Sequence, residues 1–245
     1  MSWEYPRFIA HRCGGALTPE NTLAGLGVAA RLGFRVVEFD VMLSADGMPL
    51  LIHDQTLERT TSGAGGVAEF SWEELSRLDA GVKHHRAFSG EVLPTLRQTL
   101  DACRSLGLAA NIEIKPASGH EVATGSTVAR QVRTWVNEWP DVPLLFSSFS
   151  EVALAAALEE APEVPRALVV KFVPPDWRAR LQRLECLALH CAARYLEPAL
   201  AAEITAAGFP LVCYTVNLPE DAARLFAAGV SAVFTDRLDL FDPRP

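Results

Sequence analysis

No run of the sequence is apolar over the roughly 20 residues that crossing a bilayer requires, so stable membrane insertion is not expected. Basic charge is also scarce: 22 lysines and arginines stand against 30 aspartates and glutamates, for a formal net charge of −8. A dedicated nucleic-acid or anionic-membrane binder would carry a basic stripe, and the charge argues against that class. It does not argue against a small anionic substrate, because a few local cations and a bound metal can invert the sign of one pocket. Cysteine is too irregular for a disulfide framework. The five, Cys13, Cys103, Cys186, Cys191 and Cys213, are an odd set with no CxxC pair, which reads as reduced thiols. The opening Met1–Arg7 lacks the basic and then apolar stretch of a secretory leader. Together these absences give the expectation of a cytoplasmic protein. No repeat, low-complexity tract or linker marks a second domain, so one domain over 1–245 is expected, with the oligomeric state left open.

What is present is an ordinary globular balance, 49% hydrophobic and 21% charged over 245 residues. Short apolar or β-branched runs alternate with longer stretches of helical period, the pattern of parallel strands joined by crossover helices. The runs are 7–11, 36–43, 50–53, 109–115, 144–149, 166–170, 186–190, 210–216 and 232–236. Helices are expected over 21–32, 95–106, 126–139, 151–160, 198–207 and 219–228. Thr18-Pro19 reads as a helix start, and Gly33, Gly107, Gly208 and Gly229 read as helix stops. Eight of the runs fit a (β/α)8 TIM barrel, whose usual length is roughly 250 residues. The ninth, 50–53, follows the turn signal Ser44-Ala45-Asp46-Gly47 and is expected to pair antiparallel at the rim. An open doubly wound sheet is the alternative, since alternation alone does not distinguish the two. Residues 54–93 break the rhythm and are too long for a plain loop; a small inserted cap over the site is expected there.

Chemistry concentrates at strand ends. In Glu38-Phe39-Asp40 the two acids are two residues apart, so on a strand they share a face and Phe39 takes the other. Like charges buried together are costly, and a divalent cation is the usual remedy; solvated acids on an edge strand are the competing reading. Asn111-Ile112-Glu113-Ile114-Lys115 repeats the logic with an acid and a cation, which taken singly could be a salt bridge. Glu38, Asp40 and Glu113 together offer hard oxygen ligands, suited to Mg²⁺ or Ca²⁺ more than to zinc. His11 with Arg12 and His53 with Asp54 also end strands. Imidazole exchanges protons near neutral pH, and Arg12 and Lys115 can meet a phosphate as a fork and a point charge. His84, His85 and His120 are expected on the surface, and His190 is a lesser candidate for the pocket wall.

These segments amount to a pattern: His11-Arg12-Cys13-Gly14-Gly15, Pro19-Glu20-Asn21-Thr22, Glu38-Phe39-Asp40-Val41, Asp46-Gly47 and His53-Asp54 with Leu57-Glu58-Arg59-Thr60-Thr61. Asn111-Ile112-Glu113-Ile114-Lys115, Tyr214-Thr215-Val216-Asn217 and Thr235-Asp236 complete it. In this order and over nearly the whole chain, they resemble the glycerophosphodiester phosphodiesterases of the cytosolic bacterial type. The resemblance implies a β/α barrel with a small insertion after the second strand region and one divalent cation, Mg²⁺ or Ca²⁺. By matched position, Glu38, Asp40 and Glu113 look like the metal ligands and His11 and His53 like the acid–base pair. Arg12 and Lys115 look like phosphate ligands, and Tyr214 stands where relatives often carry a tryptophan substrate platform. Cys13 departs from the family's usual glycine; if that position needs a positive φ, the cysteine strains the loop. A thiol there could be oxidation-sensitive or an inert packed side chain.

The activity implied is hydrolysis of a glycerophosphodiester, such as glycerophosphocholine or glycerophosphoethanolamine, to sn-glycerol 3-phosphate and an alcohol. Two alternatives stay open. A lysophospholipase D-like activity would want an apolar groove on residues 54–93, where Phe70, Trp72 and Phe88 are scattered. A non-catalytic phosphodiester-binding barrel is the other, since fold alone does not settle activity.

Overall fold

The computed structural model describes residues 4–243; Met1 to Trp3, part of the segment read for a leader, lie outside them. Eight parallel strands close on themselves: β1 (Phe8–Ala10), β2 (Val36–Leu43), β4 (Ala109–Ile114), β5 (Leu144–Ser148), β6 (Arg166–Val170), β7 (Ala188–Ala192), β8 (Leu211–Tyr214) and β9 (Ala232–Thr235). Ala10 of β1 pairs with Val37 of β2 on one side and Thr235 of β9 on the other, which seals the ring. The short β3 (Pro49–Leu51) returns antiparallel along β2. The expected TIM barrel with a rim hairpin is what forms.

Alternation along the strands divides the core in two. Ile9, Val36, Leu145, Ala167, Ala188, Val212, Ala232 and Phe234 pack together inside the barrel. Their neighbours Val37, Phe39, Val41, Ile112 and Ile114 pack outward against helices, meeting Leu26, Leu100, Val132 and Trp135. Those helices are α1 (Leu23–Arg31), α3 (Leu96–Leu106) and α4 (Glu121–Glu138). Further round lie α5 (Glu151–Glu160), α6 (Trp177–Arg183), α7 (Pro198–Ala206) and α8 (Pro219–Ala227). The four glycines read as helix stops all take positive φ.

Three element boundaries and one further helix differ from the sequence pattern. Thr18-Pro19 does not open a helix: α1 starts at Leu23, because Asn21 adopts φ 58° and breaks the helical path. The helix α4 starts at Glu121 rather than at 126, running through Gly125, whose missing Cβ would lie 2.3 Å from the Ala153 carbonyl oxygen of α5. That glycine marks close helix packing, not a break. Strand β7 is Ala188–Ala192, two residues later than the apolar run, because Cys186 still bonds back to Leu181 and closes α6. Helix α6, seven residues after Pro174-Pro175, was too short to show a period.

Residues 54–93 contain the short α2 (Trp72–Leu75), capped by Ser71, and two 3-10 turns. Leu57, Val67, Leu75, Ala80 and Leu93 form a small apolar cluster with Met42, Leu50 and Ile52 of the β2–β3 hairpin. Phe70 and Trp72 pack against that cluster, so no apolar groove forms from them. All five cysteines are free and buried, and among the described residues no helix is long and apolar enough to cross a membrane.

Candidate active site

The inward positions at the carboxyl ends of β1, β2 and β4 hold His11, then Glu38 and Asp40, then Glu113 and Lys115. With Arg12, and with His53 just past β3, they line one pocket of about 220 Å³. The register pairs Asp40 with Glu113 across β2 and β4. One oxygen from each of Glu38, Asp40 and Glu113 lies within 4.8 Å of the others.

The three acids are not equivalent. Asp40 accepts from Asn21 Nδ2 at 2.8 Å and from Lys115 Nζ at 3.2 Å, while its own N–H donates to Asn21 Oδ1 at 3.1 Å. Burial alone would raise its pKa, but Lys115, His53, Arg12 and Asn21 outweigh it and hold the carboxyl below its usual range. Glu38 Oε2 accepts the Arg12 backbone N–H at 2.9 Å, yet Oε1 has no hydrogen-bond partner. Burial, then Asp40 and Glu113, push its pKa well up. Glu113 is pushed up to about 7 by burial and then Asp40, and its Oε1 accepts no hydrogen bond, with Lys115 Nζ 3.6 Å away as an ion-pair partner. Two buried carboxylate oxygens that accept no hydrogen bond, beside a third acid kept ionised, fit a hard divalent cation. No histidine or cysteine belongs to this cluster, as zinc would favour.

Each histidine is held by an acid. His11 Nδ1 donates to Asp236 at 2.6 Å and His53 Nδ1 to Asp54 at 2.6 Å. A carboxylate only accepts, so both rings carry their proton on Nδ1 and keep Nε2 for chemistry. His11 Nε2 lies 3.8 Å from Glu38. Burial first, then Lys115 and Arg12, lower the His53 pKa against the opposing pull of Asp40 and Asp54. Asp236 follows β9 and is fixed by Asn217, whose Nδ2 donates to it at 3.2 Å and whose Oδ1 accepts its N–H at 2.8 Å.

Residues 54–93 reach the site through Arg59. Its Nε donates to Asp54 at 2.5 Å, and its two terminal nitrogens donate to Glu20 at 2.7 and 2.8 Å. Glu20 in turn accepts from Arg12 at 3.1 Å. Arg59 thus orients His53 and Arg12 together, through one acid each. Replacing Arg59 with alanine is expected to lower kcat/KM about 10–100-fold, the scale of losing an outer support of reacting groups. Lysine should restore little, because a point charge does not fork to both acids. Steady-state kinetics on the two variants checks this; full activity in the alanine variant would refute the coupling.

Tyr214 donates its hydroxyl to the Val170 carbonyl at 2.9 Å and meets Phe149 edge-on at 5.9 Å on the pocket's far side. His190 lies deeper on the pocket wall, bonded to the Tyr5 hydroxyl at 2.8 Å, with its pKa lowered to about 3 by burial. His84, His85 and His120 are exposed. Cys13 takes φ 69°, the strained region that its usual glycine would relieve. Its thiol is buried, and burial first, then Cys103, Glu38 and Asp40, push its pKa well up, so it is packed and inert.

The structure therefore gathers all eight site residues read from the sequence. It adds five whose roles the sequence pattern did not expose: Asn21, Asp54, Asp236, Glu20 and Arg59. All five lie in segments that carry the family resemblance, but only Asp54, next to His53, is adjacent in sequence to the site residue it supports.

Residues 11–240 match the Glycerophosphoryl diester phosphodiesterase family. A glycerophosphodiester phosphodiesterase of Caldanaerobacter subterraneus subsp. tengcongensis is 35% identical over 231 residues, 93% of each chain. An Oleispira antarctica phosphodiesterase, solved in complex with the product sn-glycerol-3-phosphate, superposes with a TM-score of 0.90 at 38% identity, covering 95% of this chain and 93% of its own. The glycerophosphodiester phosphodiesterase of Agrobacterium tumefaciens str. C58 gives a TM-score of 0.78 at 27% identity, over 98% and 100%. With this barrel, these acids and these histidines, the chain belongs to the glycerophosphoryl diester phosphodiesterase family and is a phosphoric diester hydrolase.

Proposed function

We propose that the protein hydrolyses glycerophosphodiesters, such as glycerophosphocholine and glycerophosphoethanolamine, to sn-glycerol 3-phosphate and an alcohol. One observation carries the reading: two carboxylate-backed imidazoles share a pocket with Arg12, Lys115 and the acid cluster. The Oleispira antarctica neighbour's bound product supports it. In this reading the chain is a single barrel domain with residues 54–93 as an inserted segment.

Arg12 and Lys115 neutralise the phosphoryl oxygens and stabilise the charge that grows on them. A divalent cation, Mg²⁺ or Ca²⁺, held by Glu38, Asp40 and Glu113 would add Lewis-acid stabilisation of the same oxygens. One histidine takes the proton of the attacking oxygen, from glycerol's 2-hydroxyl or from water, as its bond to phosphorus forms. The other gives its proton to the leaving alkoxide as the second ester bond breaks. If the 2-hydroxyl attacks, water then opens the cyclic phosphate with the two roles exchanged. Tyr214 and Phe149 wall the organic part of the substrate.

The test is a coupled assay for sn-glycerol 3-phosphate across several glycerophosphodiesters, with choline release measured in parallel from glycerophosphocholine and from a lysophosphatidylcholine. Release from the water-soluble diesters is expected, and its absence from all of them would overturn the reading. The inward packing of Phe70 and Trp72 leaves the lysophospholipid without the groove it needs on residues 54–93.

A further inference from the structure

We infer that a second recess, opening into the catalytic pocket, seats the leaving group of the diester and selects one that is negatively charged. This deepens the proposed function and rests on it. The catalytic pocket, at about 220 Å³, is below the roughly 300–1,000 Å³ of pockets for larger ligands. It suits the phosphate and a three-carbon arm, and a larger alcohol must lie elsewhere. A recess of about 440 Å³ adjoins it and shares Phe149, Tyr214 and Thr215 with it.

The far wall of this recess is built by Lys171, just past β6, and by Arg194 and Tyr195 in the single turn after β7. These lie on the arc of the rim opposite the acids and histidines. Phe172 stacks on Tyr195 with centroids 4.3 Å apart. The Arg194 guanidinium sits 4.7 Å from the Tyr195 ring centre, and Lys171 Nζ sits 5.5 and 5.7 Å from the two rings. Among the described residues neither cation forms an ion pair with a carboxylate.

An ammonium head group binds best over an open aromatic face. Here the chain's own cations already occupy those faces and would repel choline or ethanolamine. An added phosphate or carboxylate on the alcohol would instead gain two unpaired donors. The preferred class is thus a glycerophosphodiester whose alcohol is itself anionic, such as a phosphorylated polyol.

The experiment compares kcat/KM for sn-glycerol 3-phosphate release from glycerophosphoinositol 4-phosphate, glycerophosphoinositol and glycerophosphocholine at low salt. Wild type is compared with the Lys171→Glu/Arg194→Glu variant, whose thermal melt confirms folding. Wild type should favour the phosphorylated over the neutral inositol by about tenfold, the scale of two partly exposed charge pairs, and choline should rank last. In the variant that ratio should invert. Because it is a ratio, a general loss of activity cancels. A wild-type ratio of one or less, or one that the variant leaves unchanged, overturns the inference. Choline release, measured alongside, that is faster from lysophosphatidylcholine than from glycerophosphocholine would also overturn it, since the recess would then be an acyl seat. No release from any diester, the neutral one included, would mark failure of the proposed function itself, and the inference would fall with it.

Discussion

Replacing His11 or His53 with alanine is expected to lower kcat by about 10²–10⁴-fold, the usual worth of a positioned acid or base. The double variant should lose much less than the product of the single losses, because groups acting as a unit are not additive. Each ring is oriented through Nδ1 by Asp236 or Asp54, so Asp236→Asn and Asp54→Asn should also impair turnover. An amide can donate to Nδ1 and so favour the tautomer whose Nε2 already carries a proton. That leaves the histidine in place but unable to start as a base. Metal-induced thermal stabilisation should survive in all four variants. Near-normal kcat in either alanine variant would remove that histidine from the mechanism.

The second large effect concerns the acid cluster. Chelation is expected to abolish activity, with Mg²⁺ or Ca²⁺ restoring it, and Glu38→Gln, Asp40→Asn and Glu113→Gln should each remove most turnover. Stability supplies an independent readout. Burial, then Asp40, raise Glu113 from an ordinary 4.5 to about 7, and burial raises Glu38 in the same direction. The protonated form of Glu113 stabilises the metal-free fold fully below the unfolded pKa, and that contribution is lost as pH rises through about 7; that of Glu38 is lost in the same direction, well above the usual carboxylate range. Cation binding requires the ionised forms. The gain in Tm on adding cation should therefore grow from pH 5.5 to pH 8. With ligand at a hundred times Kd it would be about 2.7 kcal/mol, or about 5–10 °C for a chain of this size. Glu113→Gln should raise the metal-free Tm at pH 8 by removing a like charge, and should erase the cation-induced gain. Differential scanning calorimetry with and without chelator checks both. Activity indifferent to chelation would exclude the metal role of the three acids.

The barrel was legible because period-two strands and capped helices alternate down the chain, and the acids were legible because Glu38 and Asp40 sit two apart on one strand. The supports of the site were harder to read. Asp236 meets His11 across 225 residues of chain, and Arg59 meets Glu20 across 39, pairings that no local spacing encodes. Asn21 was hidden for another reason: its left-handed backbone breaks a stretch that otherwise reads as helix. Gly125 lies inside α4 although the expected helix began just after it, and its absent side chain serves contact with α5.

The barrel closes between its first and last strands, and the His11–Asp236 pair sits on that seam. During synthesis His11 is made before the acid cluster, and its partner Asp236 follows 225 residues after it, just past β9. A growing chain on the ribosome thus carries most of the acids and cations long before it can orient His11. Catalytic competence should appear as a late event tied to ring closure, and a stop codon just before β9 would yield a protein that still has every residue of the acid cluster but has lost the groups that aim its first histidine.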